Sequence, residues 1–359
     1  MHTQVGIIGA GPAGLLLGQM LHVKGIDSVI LESRNQDYVI DRVRAGVLEQ
    51  STADFMDAMG VGDRLHREGM RHDDVYVSFG GRRHLIPLAE LTGGKAIYVY
   101  GQNEVVKDLM KARLATGRLL HYEISDVSVR DFDTDKPRIR YRYHRSDQEL
   151  TCDFIAGCDG FHGICRPALA SALGDAAKSY DRTYPCGRLG ILAEAPPSSD
   201  ALVYTYHERG FALYSMRSQK ITRLYFQVPP DEDIRKWSDE AIWGRDARAY
   251  YDARRLEAQR NLAAPDVVLL GKAFAQFYRE NKADLLARNS CEALKRVWKV
   301  QRFSWWMTQT LHKFPGENPF DYKRQLADLD YIVGSKAAMT SLAENYVGLP
   351  IDVPFPVVI

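Results

Sequence analysis

The pattern of hydrophobic and polar positions at the start of the chain predicts one strand–helix–strand unit. Residues 4–8 form a short apolar run, which is typical of a buried parallel strand. Residues 14–23 place apolar side chains at helical spacing, and Gly25 follows as a helix-ending residue. Residues 27–31 predict a second strand that ends at Glu32. We therefore expect a parallel sheet with helices packed on it.

The rest of the chain separates into regions of different periodicity. Alternating runs at residues 73–99 and 180–230 predict antiparallel strands. Residues 103–115 predict a helix, and residues 119–155 predict further strands. Beyond residue 230 the pattern favours helices. The fold class is therefore α/β, with a second β-rich unit and a helical C-terminal region.

Composition and charge exclude several classes of protein. The 359 residues are 45% hydrophobic and 26% charged, which is ordinary for a globular protein. A net charge of +1 provides no overall field that would attract nucleic acid or an anionic membrane. No apolar run approaches the roughly 20 residues that span a bilayer, and the first strand leaves no room for a signal peptide. We expect a cytoplasmic protein without nucleic-acid or membrane partners.

The cysteines point away from disulfides and structural metal. They are odd in number and contain no CxxC pair, which argues against a disulfide framework and a zinc site. The five cysteines are Cys152, Cys158, Cys165, Cys186 and Cys291. We expect no metal.

A GxGxxG motif lies between the first predicted strand and the first predicted helix. Its first glycine makes a tight turn, its second lets the backbone approach a pyrophosphate, and its third permits close packing of helix on strand. The amides at the helix N-terminus favour phosphate, and Glu32 can accept hydrogen bonds from ribose hydroxyls. The expected dinucleotide contacts in this motif are Gly9, Gly11, Pro12, Ala13 and Gly14.

Two further segments favour FAD over a nicotinamide as the resident dinucleotide. An arginine-rich loop at residues 42–47 follows the acidic residue, as though a longer cofactor lay across it. Residues 156–160 follow a strand and resemble the Asp-Gly motif of flavin-dependent aromatic hydroxylases. An ordinary NAD(P)-dependent dehydrogenase is disfavoured because nothing resembles its catalytic domain.

Taken together, the motifs resemble those of the class A flavoprotein aromatic monooxygenases, in particular the members that hydroxylate 4-hydroxybenzoate. They are GIIGAGPAGLLLGQ, RVRAGVLEQ, YVYGQNEV, IAGCDGFHG, RGFALYSMRS, RFSWWMT and AENYVGLP. The resemblance implies FAD as cofactor and hydroxylation to 3,4-dihydroxybenzoate with O₂ and NADPH or NADH through a flavin C4a-hydroperoxide. It also implies a homodimer.

The resemblance also implies a division into three units. A Rossmann-like FAD-binding domain is expected at residues 1–72 and 99–180, with inserted strands at 73–98. A β-rich substrate domain is expected at residues 181–235. The helical region at residues 236–359 is expected to complete the FAD domain and to form the dimer interface.

Individual residues receive roles from the same resemblance. Tyr204 is expected to face the substrate phenol, with Tyr346 and His72 completing a proton relay. The expected residues of the aromatic-acid pocket are Tyr204, Ser215, Arg217 and Tyr225. The further FAD contacts implied are Glu32, Arg42, Arg44, Ala45, Gly46, Val47, Gln102, Asp159 and Asn261. The nicotinamide contacts implied are Arg34, Tyr38, His162 and Arg166.

The residues of the aromatic-acid pocket also support it by their spacing. Ser215 and Arg217 precede a predicted turn at residues 218–220, and Arg223 and Tyr225 follow it. In regular strands, alternation lets the members of each pair share a face. A guanidinium can bind a carboxylate through two hydrogen bonds. The alternatives are a surface arginine paired with a carboxylate, an ordinary core tyrosine at position 204 and a surface histidine at position 72.

One expected FAD signature is missing between residues 243 and 261. The family has a strand that ends in Gly-Asp and a proline-rich loop there, whereas this chain has a short polar stretch that favours a helix. Two interpretations are open: a divergent or truncated member of the family with impaired flavin binding, or a sequence that differs from that of a natural gene. The alternative function is a flavoprotein-like remnant that binds an aromatic acid or a nucleotide without turnover.

Overall fold

The computed structural model describes residues 1–42, 45–238, 250–251 and 264–350. The first eight strands are β1 (His2–Ile8), β2 (Ser28–Leu31), β3 (Val47–Glu49), β4 (Met70–His72), β5 (Val75–Phe79), β6 (Arg82–Ile86), β7 (Ile97–Val99) and β8 (Leu120–His121). The others are β9 (Ser125–Arg130), β10 (Arg138–Tyr143), β11 (Ser146–Gly157), β12 (Gly187–Ala193), β13 (Leu202–His207), β14 (Gly210–Met216), β15 (Thr222–Val228) and β16 (Tyr250–Tyr251).

The helices of the described residues fall into an N-terminal and a C-terminal group. The first group is α1 (Pro12–Val23), α2 (Gln36–Asp41), α3 (Gln50–Ala58), α4 (Asp63–Glu68), α5 (Leu88–Leu91), α6 (Gln102–Ala115) and α7 (Cys165–Leu173). The second group is α8 (Ala264–Glu280), α9 (Asp284–Leu311), α10 (Pro319–Gly334) and α11 (Lys336–Tyr346). In the part of the chain described, no helix is both long enough and apolar enough to cross a membrane.

The first sheet has six strands in the order β8-β2-β1-β11-β10-β9. β1 pairs in parallel with β2 and with β11, and α1 connects β1 to β2. All four residues of β2 are buried, which is the pattern of a parallel strand covered on both faces. The strand–helix–strand unit expected from the sequence is therefore confirmed.

The second sheet has seven strands in the order β16-β12-β15-β14-β13-β5-β6. β5 pairs in parallel with β13, so the strands of residues 73–98 and those of the β-rich region form one surface. At the other edge, Tyr250–Tyr251 pairs with β12. The sequence favoured a helix there, and this was wrong at these two residues, because the edge of β12 offers unpaired backbone groups to an extended segment.

The C-terminal helices cover both sheets. Val267 and Phe274 of α8 belong to the core cluster that contains Leu15 and Met20 of α1. Helices α10 and α11 instead contribute to the cluster beneath the seven-stranded sheet. The last part of the described chain therefore joins the two sheets.

A buried arginine fixes α6 against the first sheet. The Arg113 side chain is 1% exposed, and its Nη2 donates to the carbonyl oxygens of Ser28 (2.6 Å) and Leu119 (2.8 Å). Its Nη1 donates to Oγ of Ser28 at 3.0 Å. Burial lowers the pKa of Arg113 to about 10, so the side chain stays cationic at neutral pH.

We expect Arg113→Met to lower the free energy of unfolding by about 2–4 kcal/mol, because buried carbonyl oxygens lose their donors. Urea unfolding followed by circular dichroism measures this loss. The control is Lys111→Met on an exposed position of the same helix, which should change stability by less than about 0.5 kcal/mol. Equal effects of the two substitutions would contradict a structural role for the Arg113 hydrogen bonds.

Candidate functional site

The GxGxxG turn brings three backbone segments into close contact. Gly9 has a φ of +105°, and a Cβ there would lie 2.4 Å from the carbonyl oxygen of Cys158. A Cβ on Gly14 would lie 1.9 Å from the carbonyl oxygen of Gly9. Gly11 precedes α1 without a side-chain cap, so the first amides of the helix have no side-chain acceptor. This helix start has the features of a phosphate site.

Glu32 lies beside this turn at the end of β2. Its Oε2 accepts a hydrogen bond from the backbone of Ala10 at 2.7 Å, and its Oε1 accepts one from the backbone of Arg34 at 2.9 Å. These bonds fix the carboxylate next to the helix start. A ribose attached to a diphosphate on α1 would meet this acceptor group.

The loop at residues 45–47 forms backbone hydrogen bonds with the beginning of α6 and the residues before it. The Ala45 carbonyl accepts from the Gln102 backbone at 3.0 Å, and the Gly46 carbonyl accepts from the Tyr100 backbone at 2.9 Å. Val47 then pairs with Val99 in the three-stranded sheet β3-β7-β4. Two other expected FAD contacts, Arg44 and Asn261, lie outside the described residues.

Asp159 and Arg42 have local partners. The Asp159 carboxylate accepts from the backbone of Cys165, the first residue of α7, at 2.9 Å. The Arg42 guanidinium lies 5.8 Å from the centre of the Tyr38 ring. The glycine turn, Glu32 and the 45–47 loop therefore carry the fit to a dinucleotide, and Asp159 holds the helix that follows β11.

Most of the expected substrate residues lie on one face of the seven-stranded sheet. Ser215 of β14 pairs with Arg223 of β15, and Leu213 pairs with both Tyr225 and Tyr204. Residues paired across antiparallel strands share a face. The alternation expected for Arg223 and Tyr225 therefore holds in the structure, and Ser215 and Tyr204 lie on the same face. Arg217 follows the end of β14, so the expected pairing of its face with that of Ser215 stays a prediction.

Arg217 lies between this sheet and the 45–47 loop. Its Nη2 donates to Oδ1 of Asn103 at 3.0 Å, and a Cβ on Gly46 would meet its Nη1 at 2.2 Å. Burial, with the neighbouring charge of Arg223, lowers the pKa of Arg217 to about 10, so it remains cationic at neutral pH. The arginine is partly buried rather than the surface strand arginine of the alternative interpretation.

Tyr204 and Tyr346 form the central part of the expected relay. Their hydroxyl oxygens are 2.6 Å apart, and either can donate. Burial raises the pKa of both phenols, and the pKa of Tyr346 lies well above its ordinary value. A hydrogen bond from Tyr346 favours the ionised form of Tyr204.

His72 is buried on β4, with 5% of its surface exposed. Its Nε2 has no hydrogen-bond partner within the described residues, and it forms no bond with Tyr346 there. Burial lowers the pKa of His72, although a hydrogen bond to the backbone of Asp200 opposes this shift. The structure therefore joins two members of the expected relay directly and leaves the third separate.

The expected nicotinamide contacts form two small clusters. The Arg34 guanidinium lies 5.2 Å from the centre of the Tyr38 ring, which is 44% exposed. Arg166 lies 4.1 Å from the ring centre of Phe161, which packs edge-on against His162. Their role in binding a nicotinamide stays a prediction.

Three residues near the site were not predicted from the sequence: Arg188, His312 and Asn103. Nε and Nη2 of Arg188 both lie within hydrogen-bond distance of Nε2 of His312, at 3.3 and 3.2 Å. Asn103 holds Arg217. The one signal for Arg188 was a charged residue inside an apolar strand run, but its face depended on strand pairing that the sequence does not reveal.

The chain belongs to the FAD binding domain family, which residues 2–254 match. Fold, site and relatives together define an FAD-dependent aromatic monooxygenase with NAD(P)H as co-substrate. The glycine turn, the uncapped start of α1 and Glu32 would hold the FAD.

Among individual proteins, the chain is 41% identical to p-hydroxybenzoate hydroxylase of Acinetobacter baylyi, over 98% of this chain and 97% of the relative. It is 25% identical to 3-(3-hydroxy-phenyl)propionate/3-hydroxycinnamic acid hydroxylase of Mycolicibacterium gilvum, over 67% of this chain and 41% of that protein. The fold is similar to that of p-nitrophenol 4-monooxygenase from Pseudomonas putida, with a TM-score of 0.78, 16% identity and coverage of 97% and 99%.

The alignment with the Acinetobacter protein extends over 395 positions, whereas this chain has 359 residues. Some positions of the relative therefore have no counterpart here. Where these positions fall along the chain is not fixed by the alignment length, so the missing signature between residues 243 and 261 stays a prediction. Most residues of that stretch lie outside the described part of the chain.

We expect Gly14→Ala to abolish FAD retention, because the added Cβ would force α1 away from the turn. The flavin-to-protein absorbance ratio after purification measures retention. The matched control is Gly334→Ala, where a Cβ meets no atom within 4 Å and φ is not positive. A Gly14→Ala protein with full flavin content would contradict the assigned phosphate site.

The free energy of unfolding is expected to depend on pH through His312. Burial and the charge of Arg188 lower its pKa to about 3. The unfolded chain therefore takes up a proton below about pH 6.5 that the folded chain refuses, and stability falls as pH decreases from about 6.5 towards 3.

Below about pH 6.5, we expect His312→Gln to reduce the loss of unfolding free energy by up to about 1.4 kcal/mol per pH unit. Urea unfolding at pH 7, 6 and 5 measures it. Substitution of the exposed His207 by Gln is the control and should leave the pH dependence unchanged. Identical curves for His312→Gln and the unmodified protein would show that His312 takes up its proton normally.

Proposed function

We propose that this protein hydroxylates 4-hydroxybenzoate to 3,4-dihydroxybenzoate with O₂ and NADPH. The observation that carries the proposal is the pair of phenol hydroxyls of Tyr204 and Tyr346, 2.6 Å apart, on the sheet face that also holds Ser215. A phenolic substrate needs a route for its proton, and this pair supplies one. The 41% identity to p-hydroxybenzoate hydroxylase supports the choice of substrate.

Each residue of the site has a defined part in this proposal. Arg217 and Ser215 bind the carboxylate, since a cationic fork and a hydroxyl are suitable donors for it. Tyr225 packs on the aromatic ring of the substrate. The Arg223 guanidinium lies 4.6 Å from the centre of the Tyr225 ring. Tyr204 takes the phenol proton and Tyr346 relays it.

We assign His72 as the outlet of this relay, with a proton transfer from Tyr346 that no direct hydrogen bond among the described residues provides. Its lowered pKa keeps the imidazole neutral and able to accept a proton at neutral pH. FAD supplies the oxygen chemistry when it is bound. The protein around it contributes position, charge and exclusion of water.

The second candidate function is an aromatic-acid-binding remnant without turnover. The positions of the Acinetobacter relative that this chain lacks favour it. We propose a cytoplasmic homodimer for the hydroxylase and make no such proposal for the remnant.

The two functions differ in a direct experiment. The purified protein is reconstituted with FAD, and NADPH oxidation is followed with and without 4-hydroxybenzoate. The enzyme is expected to be yellow, to oxidise NADPH faster with substrate and to form 3,4-dihydroxybenzoate, detected by chromatography. A protein that binds 4-hydroxybenzoate but forms no product would establish the remnant.

We expect Tyr204→Phe to lower the rate of product formation by about 10²-fold, because the first proton acceptor is lost. Substrate binding and FAD content should change little. The matched control is Tyr206→Phe on the same strand and face, which loses a hydroxyl bonded to Gln325 but no relay group. Product formation by Tyr204→Phe at the rate of the control would rule out the relay.

A further inference from the structure

Arg188 is a partly buried cation on the substrate face of the seven-stranded sheet. It pairs with Gln227, and the next residue of β12 on the same face, Gly190, pairs with Tyr225. The Arg188 guanidinium lies 5.4 Å from the ring centre of Phe211. The Phe211 ring is 6.2 Å from the ring of Tyr204. The Phe211 ring therefore contacts both the Arg188 guanidinium and the ring of Tyr204, the first tyrosine of the relay.

Among the described residues, the groups that act on the Arg188 charge include no carboxylate. The titratable groups that face it are Tyr184, Cys186, Tyr204, Tyr225 and His312. His312, which accepts its hydrogen bond, is neutral because burial and Arg188 itself lower its pKa to about 3. A buried cation without an anion is unfavourable, and an anionic ligand would relieve this cost.

The two partly buried arginines, Arg188 and Arg217, lie at opposite ends of β14. Arg217 follows the end of the strand near Ser215, and Arg188 approaches the beginning at Phe211. At a rise of about 3.4 Å per residue, Phe211 and Ser215 are roughly 14 Å apart. Tyr204 lies between them, opposite Leu213. An aromatic acid whose carboxylate is held by Arg217 therefore directs its opposite end towards Arg188.

We propose that Arg188 is a positioning residue that stabilises the ionised phenol of an aromatic acid bound at Tyr204. The inference rests on the proposed function and deepens it. In this step the phenol O–H bond breaks and the electron pair stays on the phenol oxygen. The Tyr204 hydroxyl accepts the proton as it passes its own to Tyr346, and the proton released by Tyr346 goes to the neutral imidazole of His72, the acceptor assigned in the proposed function. Arg188 stays charged throughout. Its contribution is the attraction between its guanidinium and the phenolate.

The test is the ionisation of bound 4-hydroxybenzoate in the FAD-loaded protein, followed by the absorbance of the phenolate as pH is raised. In the unmodified protein the bound phenol should ionise at a pH at least about one unit below that of the free ligand. Arg188→Met should raise this midpoint by about one unit, and Arg188→Lys should restore part of the shift because the charge is kept. Affinity for benzoate, which has no phenol, should change less than affinity for 4-hydroxybenzoate.

The matched control is Arg182→Met. Arg182 is an exposed arginine that lies 4.5 Å from the ring centre of Trp305, and its loss should leave the midpoint unchanged. Equal midpoints in the unmodified protein and Arg188→Met would overturn the inference. If Arg188→Met does not fold, a bound phenol in the unmodified protein that ionises no more readily than free ligand overturns it equally. An unmodified protein that does not bind 4-hydroxybenzoate would refute the proposed function itself.

Discussion

The architecture depends on a close backbone contact where β1, α1 and β11 meet. Gly9 lies against the carbonyl of Cys158, and Gly14 lies against the carbonyl of Gly9, at distances that leave no room for a Cβ. This contact fixes the start of α1 at the carboxyl end of two parallel strands. In open α/β sheets that edge is where ligands bind. Every other part of the cofactor site is arranged around it.

The substrate face is built from distant parts of the chain. β5 joins β13 in parallel, which brings the inserted strands and the β-rich region together. Tyr204 then meets Tyr346, which is 142 residues further along the chain. The site therefore exists only after the C-terminal helices have packed on the sheet. Assembly of this kind has a high contact order, and it makes the site sensitive to substitutions far from it.

The electrostatics of this face follow from burial. Arg188, Arg217 and Arg223 all lie near phenols on this face, and the groups that act on Arg188 are phenols and a thiol rather than carboxylates. Burial keeps the tyrosines protonated, while the nearby cations favour their ionised forms. The balance between these two effects is suited to moving a phenol proton.

The sequence alone determined the nucleotide-binding unit, because its signals are local. The glycine spacing, the apolar periodicity of residues 14–23 and Glu32 at a strand end all lie within one short segment. The alternation that places Arg223 and Tyr225 on one face was also predictable, since a strand has a fixed period of two. Only the tertiary structure decided which strands are neighbours and hence which residues share the substrate face. Arg188, Asn103 and His312 were missed because their partners are set by sheet order and helix packing, and neither leaves a trace in the neighbouring residues.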